Sequence, residues 1–167
     1  MSTANLILDK KQTLQKIRRI AFEIYEHNFK EKDIVLAGLD GMGYNFVQLL
    51  QKELEDISPI KVILVKVSLD KGAPSQSEVT LDTPIDQLKN KTIVVVDDVL
   101  NTGKTLAYSL KPFLNIKVKK LQTAVLVNRG HHSFPIIADY VGLSLATSLK
   151  EHIEVVLKGK EAGVYLS

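Results

Sequence analysis

The chain of 167 residues contains no cysteine. Disulfide bonds, thiolate metal sites and cysteine nucleophiles are therefore excluded together. No apolar run is long enough to span a bilayer, and residues 1–5 have neither the basic nor the apolar region of a signal peptide. We therefore expect a cytoplasmic protein with no membrane partner.

The sequence also has little excess charge of either sign. Lysine and arginine number 22 against 19 acidic residues, which gives a formal net charge of +3. This mild surplus permits an RNA or phosphate partner but does not require one. The length and the hydrophobic content of 45% fit one domain over residues 1–167 with a self-sufficient core.

Predicted helices and strands alternate along the chain in the βα manner. An apolar stripe predicts a helix over about residues 10–29, formed by Leu14, Ile17, Ala21, Ile24 and Asn28. Further helices are predicted up to about residue 56 and over 103–113. Strands are predicted at 34–37, 61–67, 93–96 and 121–127, with shorter ones near 140–141, 153–157 and 164–165. This order indicates an α/β fold with a mostly parallel central sheet flanked by helices.

Residues 92–105 combine a buried strand with the polar groups that follow it. Residues 93–96 form a β-branched run typical of a strand buried on both faces of a parallel sheet. Asp97 and Asp98 come at its carboxyl end, where open α/β sheets bind ligands. Residues 102–105 then open a helix, whose free N–H groups suit a phosphate. The segment therefore predicts a site for a phosphorylated sugar.

The end of this segment also matches a nucleotide-binding Walker loop, through Gly103, Lys104 and Thr105. A Walker loop needs a glycine five residues before its second glycine, and Asp98 stands there. The mismatch argues against ATP or GTP binding by this motif. Taken singly, each part of the segment is also typical of ordinary structure: a valine-rich core strand, an acidic turn and a helix entry.

Residues 92–105 resemble the phosphoribosyl pyrophosphate (PRPP) signature of the type I phosphoribosyltransferases. Residues 124–142 are similar to the corresponding segment of the PyrR group of that family, as are residues 7–9, 19–24 and 146–148. PyrR proteins are pyrimidine-operon regulators that bind RNA and are also uracil phosphoribosyltransferases. The resemblance implies a type I phosphoribosyltransferase fold with a small hood, and a homo-oligomer, either a dimer or a tetramer. It also implies transfer of the 5-phosphoribosyl group from PRPP to a nucleobase, with uracil as the first choice.

The resemblance assigns roles to the residues of the signature. Asp97 and Asp98 would be the catalytic pair, binding the ribose hydroxyls and favouring the cationic transition state. The PRPP site would continue along the chain through Val99, Leu100, Asn101, Thr102, Gly103, Lys104 and Thr105. Mg²⁺ would be bound mainly by substrate oxygens, with no direct protein ligand and with the acidic pair assisting.

A pyrophosphate loop is implied at Asp40, Gly41, Met42 and Gly43. Glycines suit a sharp turn that presents N–H groups to the leaving group. The PyrR pattern usually has a basic residue and an arginine before the last glycine, whereas this chain has Asp40 and Met42. An aspartate repels pyrophosphate, and a missing arginine removes a bidentate donor. An ordinary turn and helix start is therefore the alternative interpretation.

Residues 68–83 form a polar segment with Gly72 and several serines, which predicts a mobile loop. In the family this loop closes over the site and excludes water. PyrR proteins begin it with a tyrosine–arginine pair, but this chain has residues 68–72 instead, with Lys71 as the nearby cation. We therefore expect weak closure over the pyrophosphate.

The nucleobase site is implied beside Arg129, with backbone groups near Ile136 and Ile137 reading the edge of the base. The adjacent histidines His131 and His132 follow the same strand. They lack the spacing of metal ligands, so we predict a surface or hydrogen-bonding role for His132. The sequence offers no convincing general base in this region.

The loss of charge on the leaving-group side motivates a second hypothesis, a regulator that senses PRPP or a nucleotide with reduced catalysis. A regulator that binds pyrimidine-operon RNA is a special case. The first helix carries Arg18 and Arg19, but Phe22, His27 and Leu149 stand where basic or polar residues would help. Because RNA affinity sums many phosphate contacts, these losses count against RNA binding. Solvated helix charge is the competing interpretation for the two arginines.

Overall fold

A computed structural model describes residues 4–73 and 78–167. Its first strand, β1 (Asn5–Leu8), leads into the helix α1 (Lys10–Asn28), which starts with a capping box. Asp9 Oδ1 accepts the N–H of Gln12 at 2.8 Å, and Gln12 Oε1 accepts the N–H of Asp9 at 2.9 Å. These two bonds satisfy donors that a helix start leaves unpaired. The predicted first helix is therefore confirmed to within a residue.

The apolar stripe of α1 differs from the prediction at one position. Ile17, Ile20, Ala21 and Ile24 are buried, whereas Leu14 is 39% exposed. Leu14, the one predicted member that is not buried, therefore lies at the edge of the interface, and Ile20 lies on the buried face as well.

Within the described ranges, the central sheet contains six strands, which all come after α1 in the chain. They are β2 (Asp33–Leu39), β3 (Lys61–Ser68), β4 (Thr80–Leu81), β5 (Thr92–Leu100), β6 (Lys120–Asn128) and β7 (Tyr140–Ser144). Their order across the sheet is β4-β3-β2-β5-β6-β7. Every neighbouring pair is parallel except β3 and β4. The predicted α/β class with a mostly parallel sheet is confirmed.

Strand β5 lies in the middle of this sheet, between β2 and β6. Its residues 93–96 have no exposed surface. Val94 and Val96 pack on the side of α1, while Ile93 and Val95 pack in the core on the opposite face. Alternate residues of a strand point to opposite faces, so both faces of β5 are covered. The prediction of a doubly buried strand is confirmed.

Helices cover both faces of the sheet. Helix α2 (Met42–Ile57) packs beside α1 on one face. A 3₁₀ helix (Ile85–Leu88) and the short helices α3 (Lys104–Ser109) and α4 (Lys111–Leu114) cover the other. The prediction of a single helix over 103–113 is wrong, because the structure has two short helices there, separated at Leu110. Pro112 explains the division, since it has no N–H to continue the ladder and its ring opposes the preceding turn.

A second, smaller sheet lies beside the first and is called the hood below. It consists of β1 with β8 (Ile153–Val156) and β9 (Gly163–Leu166), in the antiparallel order β1-β9-β8. The short strands predicted near the end of the chain are therefore confirmed. The small hood implied by the resemblance is also present.

The predicted mobile loop over residues 68–83 is partly regular. Thr80 and Leu81 form β4, which pairs with Ser68 and Val67 at the end of β3. Residues 74–77 of that prediction lie outside the described part of the chain. None of the helices in the described ranges is both long and apolar enough to cross a membrane.

Candidate active site

A cleft of about 370 Å³ opens at the carboxyl end of β5, facing the hood. Residues 97–106 form one wall, and residues 152–156 of the hood line the cleft as well. Met42 and Lys71 complete the lining. The structure therefore brings every residue of the predicted PRPP site, 97–105, to one cavity with Met42 of the predicted pyrophosphate loop.

The acidic pair lies inside β5 rather than after it, which corrects the predicted end of the strand. Pairing with β2 stops at Val96, whereas pairing with β6 continues to Leu100. The last part of β5 therefore extends beyond β2, and the edge of β5 that faces β2 is unpaired at Asp97 and Asp98. Asp97 is buried, while Asp98 is only half-buried.

Asp97 is the most perturbed acid of the cleft. Its residue surface is 5% exposed, and its Oδ1 accepts the N–H of Asp98 at 2.9 Å and lies 3.3 Å from Lys71 Nζ. Burial raises the pKa of Asp97 to about 7, repulsion by Asp98 adds to the rise, and Lys71 opposes it. Burial therefore favours the neutral form of the Asp97 carboxyl much more than in an ordinary exposed aspartate.

Gly43, in the first turn of α2, lies against the same acid. A Cβ atom placed at Gly43 would be 3.1 Å from both Asp97 Oδ1 and Val96 O. Such a distance is tighter than ordinary carbon contacts, so a side chain at residue 43 would require Asp97 or the backbone of β5 to give by a few tenths of an ångström. The glycine thus sets the spacing between the predicted pyrophosphate loop and the acidic pair.

The predicted pyrophosphate loop is a tight turn followed by a helix start. The Asp40 N–H donates to Val67 O at 2.8 Å, and the Gly41 N–H donates to Asp40 Oδ1 at 2.9 Å. The first helical bond of α2 runs from the Asn45 N–H to Gly41 O at 3.1 Å. The N–H groups of residues 42–44 therefore remain at the open end of the helix. Asp40 both adds a negative charge and occupies one N–H of the turn.

The loop that follows β5 is shaped by Gly103. This residue has φ +87°, a left-handed conformation that glycine adopts without strain. A side chain there would also meet Ile136 Cβ at 3.3 Å. Thr102 O accepts the N–H groups of Ser133 at 2.9 Å and Phe134 at 3.1 Å. The strand-to-helix loop is thus held from outside by residues 133–136, while its inner side faces the cleft.

Arg129 ties this loop to a distant segment of the chain. Its Nη1 donates to Asn101 Oδ1 at 2.8 Å, and its Nε donates to Thr147 Oγ1 at 2.9 Å. Its Nη2 donates to the backbone oxygens of Ser148 and Glu151. Four of the five N–H groups of the guanidinium therefore have protein acceptors. Through these bonds Arg129 links Asn101 to residues 147–151 and restricts the position of the Asn101 side chain.

Ile136 and Ile137, the other residues predicted near the nucleobase, are not among the residues that line the cleft. Ile136 packs against Gly103, and Ile137 is 84% exposed with its carbonyl accepting Thr123 Oγ1 at 3.0 Å. His132 Nε2 lies 3.2 Å from Asn128 Oδ1, which confirms its predicted hydrogen-bonding role. Within residues 4–73 and 78–167, no group of three or more histidine or acidic side chains is placed to hold a metal ion.

Sequence reasoning missed the contribution of the hood to the cleft. Residues 152–156 line it, and His152 is held by two backbone bonds with Ser167, at 2.7 and 2.9 Å. The alternating apolar pattern predicted a strand near 153–157, but nothing in the pattern connects that strand with residues 97–105. Only the packing of the hood over β5 brings them together.

Comparison with known proteins assigns the chain to a family. The sequence model described as the phosphoribosyl transferase domain matches residues 3–158. The chain therefore belongs to the phosphoribosyltransferase family, in which the phosphoribosyl group of PRPP is transferred to an acceptor.

Within this family the chain is similar to proteins named bifunctional protein PyrR. The protein from Clostridium acetobutylicum is 37% identical over 160 residues, which cover 92% of this chain and 90% of the relative. The protein from Bacillus pumilus is 35% identical over 167 residues, covering 94% and 92% respectively. The predicted resemblance to the PyrR group is therefore confirmed.

Solved structures show the same fold. A hypoxanthine-guanine phosphoribosyltransferase from Bacillus anthracis matches with a TM-score of 0.72 at 19% identity, covering 87% of this chain and 85% of that one. A hypoxanthine phosphoribosyltransferase from Trypanosoma cruzi matches with a TM-score of 0.74 at 19% identity, covering 84% and 81%. The chain thus has the type I phosphoribosyltransferase fold.

Proposed function

We propose that this phosphoribosyltransferase uses PRPP and Mg²⁺ to convert uracil to its nucleoside monophosphate. The observation that carries the proposal is the single cleft in which the acidic pair, the loop 101–105 and the start of α2 converge. Similarity to PyrR proteins over more than nine-tenths of the chain supports the choice of a pyrimidine acceptor. The whole activity is proposed to reside in one domain over residues 1–167.

The chemistry assigned to the acidic pair follows from charge and position. Breaking the bond between the ribose C1 and pyrophosphate develops positive charge on the sugar ring. Asp97 and Asp98 would accept hydrogen bonds from the ribose hydroxyls, and their negative charge would stabilise that cation. The loop 101–105 would hold the 5′-phosphate through N–H groups at the start of α3 and through its hydroxyl side chains.

Mg²⁺ fits this site as a partner of the substrate. The ion retains waters readily and often takes only one or two carboxylates in addition to phosphate oxygens. Asp97 and Asp98 supply two carboxylates on one wall of the cleft. The bound ion would neutralise charge on the departing pyrophosphate, while the acids assist through hydroxyls and water.

The acceptor base is proposed to lie near the loop 101–105, with Arg129 and the backbone near Ile136 and Ile137 as its neighbours. The bonds of Arg129 to Asn101 and Thr147 support an indirect contribution by this side chain, which is to fix the loop. The edge of the base would then be read mainly by backbone groups.

A panel assay tests the proposal. The protein is incubated with PRPP, Mg²⁺ and individual bases, and the nucleoside monophosphates are separated by chromatography. We expect uridine monophosphate as the main product, and a loss of about 10²-fold or more in the Asp98→Asn variant. Asp86→Asn is the matched control, since Asp86 is exposed and pairs with Lys89 outside the cleft. Formation of no monophosphate from any base would refute the enzymatic proposal.

A second candidate function is a weakly catalytic sensor of PRPP or nucleotide, and Met42 favours it. Met42 lines the cleft at the start of α2, where a cation would face the leaving group. Met42→Arg is expected to raise turnover by about tenfold, because one charge-assisted hydrogen bond contributes about 1.5–3 kcal/mol. Met42→Leu is the size-matched control. Unchanged turnover in Met42→Arg would contradict this explanation of low activity.

RNA binding receives little support from the first helix. Arg18 Nη1 lies 2.7 Å from Glu53 Oε2, and Arg19 Nε lies 3.3 Å from Glu23 Oε1. Both arginines are thus paired with acids, as the solvated-charge interpretation predicts. Titration with the leader RNA of its own pyrimidine genes at two salt concentrations tests the point, and salt-sensitive binding would restore the RNA hypothesis.

The cytoplasmic location and the homo-oligomer remain part of the proposal. Several large apolar side chains are exposed in the single chain and suit subunit contacts; they are Leu6, Leu14, Phe22, Phe29, Leu114, Ile137 and Leu149. Light scattering after size-exclusion chromatography distinguishes a monomer from the expected dimer or tetramer.

A further inference from the structure

Asp40 is the one aspartate or asparagine of the chain that is followed by a glycine. In such a pair the peptide nitrogen of the glycine can attack the carboxyl carbon of the side chain before it, because glycine has no Cβ atom to hinder the approach. The pair lies in the turn between β2 and α2, two residues before Met42, which lines the cleft. A reactive dipeptide therefore stands in the predicted pyrophosphate loop.

The geometry of the turn favours this reaction. The Asp40 side chain folds back onto the next peptide, and its Oδ1 accepts the Gly41 N–H at 2.9 Å. Both residues are exposed. Gly41 has φ +94°, and among the described residues no atom lies within 4 Å of the position that a Cβ would take there. The space around the Gly41 peptide is therefore open for ring closure and for water.

We propose that Asp40 and Gly41 form a site of spontaneous isoaspartate formation, and that this conversion disables the pyrophosphate loop. The Gly41 nitrogen bonds to the Asp40 carboxyl carbon, and one carboxyl oxygen leaves as water with the amide proton and a proton from solvent. Water then breaks the bond between that nitrogen and the main-chain carbonyl carbon of Asp40, which restores a carboxylate and releases a proton. The backbone now runs through the side chain of Asp40, and no oxidant or other co-reactant is consumed.

The conversion lengthens the backbone between two points that are held in place. It adds one carbon atom, or about 1.5 Å of chain. On one side the Asp40 N–H donates to Val67 O at 2.8 Å. On the other side Gly43 packs so closely on Asp97 that a Cβ there would lie only 3.1 Å from Oδ1. The extra length therefore displaces the start of α2 relative to Asp97, and its effect on PRPP rests on the proposed function, whereas the isomerisation itself does not.

Peptide mapping of the full chain tests the proposal. The folded protein is kept at physiological temperature and pH for several weeks, and samples are digested with trypsin. The peptide of residues 33–52 is then analysed by chromatography with electron-transfer fragmentation. We expect isoaspartate to accumulate at Asp40 about tenfold faster than at Asp86, because the residue after Asp86 carries a side chain. Asp86 is a suitable internal control, since its side chain is 80% exposed.

Two variants check the chemistry at this position. Asp40→Glu should form no isomerised product there, because its longer side chain would have to close a larger ring. Asp40→Asn should react faster than the parent, because an amide loses ammonia more readily than a carboxylate loses water. Circular dichroism confirms that each sample is folded. A rate of conversion at Asp40 no greater than that at Asp86 would overturn the proposal.

A second measurement separates the inference from the proposed function. In calorimetric titrations with PRPP and Mg²⁺, the fraction of binding molecules should fall in step with the isoaspartate content, because a misplacement of about 1 Å can cost about 10²-fold. Asp40→Glu should retain its own initial binding throughout. If fresh protein binds no PRPP while isoaspartate accumulates, the proposed function falls and the modification site stands. If isoaspartate accumulates and PRPP binding is unchanged, the proposed function stands and the disabling effect is wrong.

Discussion

Replacing Asp97 with asparagine tests how the buried acid couples the stability of this protein to pH. Burial and the repulsion of Asp98 raise the pKa of Asp97 from its ordinary value of 3.8 to about 7 in the folded chain. The folded state therefore holds this proton more tightly than the unfolded state does. Between pH of about 4 and about 7, the free energy of unfolding falls as pH rises, and above that window the loss is complete.

The size of the effect follows from the pKa. A tenfold change in proton affinity corresponds to about 1.36 kcal/mol. The raised pKa of Asp97 therefore lowers the free energy of unfolding by up to about 4 kcal/mol at pH 8. An asparagine keeps the shape and an oxygen acceptor but carries no charge. Asp97→Asn should therefore be more stable than the parent at pH 8, by about 1–4 kcal/mol, and about equal to it near pH 4.

The assay is urea unfolding at several values of pH between 4.5 and 8.5. The chain has no tryptophan, so far-ultraviolet circular dichroism is the suitable signal. Asp86→Asn is the matched control, because Asp86 is exposed and should leave the pH dependence of the parent in place. If Asp97→Asn has the same pH slope as the parent, the assignment of a raised pKa to Asp97 is refuted. The stabilised variant should also lose transferase activity, since stability and function compete at this residue.

Three further substitutions test the framework around the cleft. Gly43→Ala should lower kcat/KM for PRPP about tenfold by moving α2 away from Asp97; unaltered kinetics would refute that spacing role. Arg129→Met, which removes the hydrogen bond to Asn101, should lower the free energy of unfolding in urea by about 1–3 kcal/mol and weaken PRPP binding. A loss of stability with full PRPP affinity would argue against a role of Arg129 in positioning Asn101. Asp9→Ala should cost about 1 kcal/mol through the lost capping box, with normal turnover; a fall in turnover would contradict a purely local role of the cap, since the hood strand β1 ends at Leu8, beside Asp9.

The strand β5 shows why local patterns predicted the centre of this fold. Four consecutive β-branched residues, 93–96, can be fully buried only in a strand that is covered on both faces. The structure gives all four no exposed surface. The helix α1 was equally accessible to prediction, because its period and its cap are encoded within about twenty adjacent residues.

The errors arose where distant residues decide the outcome. Leu14 belongs to the apolar stripe, yet the neighbouring elements leave it 39% exposed. Periodicity continued α3 through Pro112, whose missing N–H divides the helix. Distant residues also supply partners that were not predicted, since Arg129 donates to Asn101 and to residues 147–151. No local pattern encodes such partners, since about twenty or more positions separate them in the chain.

The sequence by itself determined the α/β class, the buried strand β5 and the acidic pair that predicts a ribose phosphate site. These features depend on residues adjacent in the chain, whose periodicity and order are visible without a structure. Only the tertiary structure decided the environment of that pair. Gly43 and Lys71 meet Asp97 from positions 54 and 26 residues away, and the hood reaches the cleft from residues 152–156. Such contacts form when separate elements pack together, and it is this packing that excludes water from Asp97 and raises its pKa.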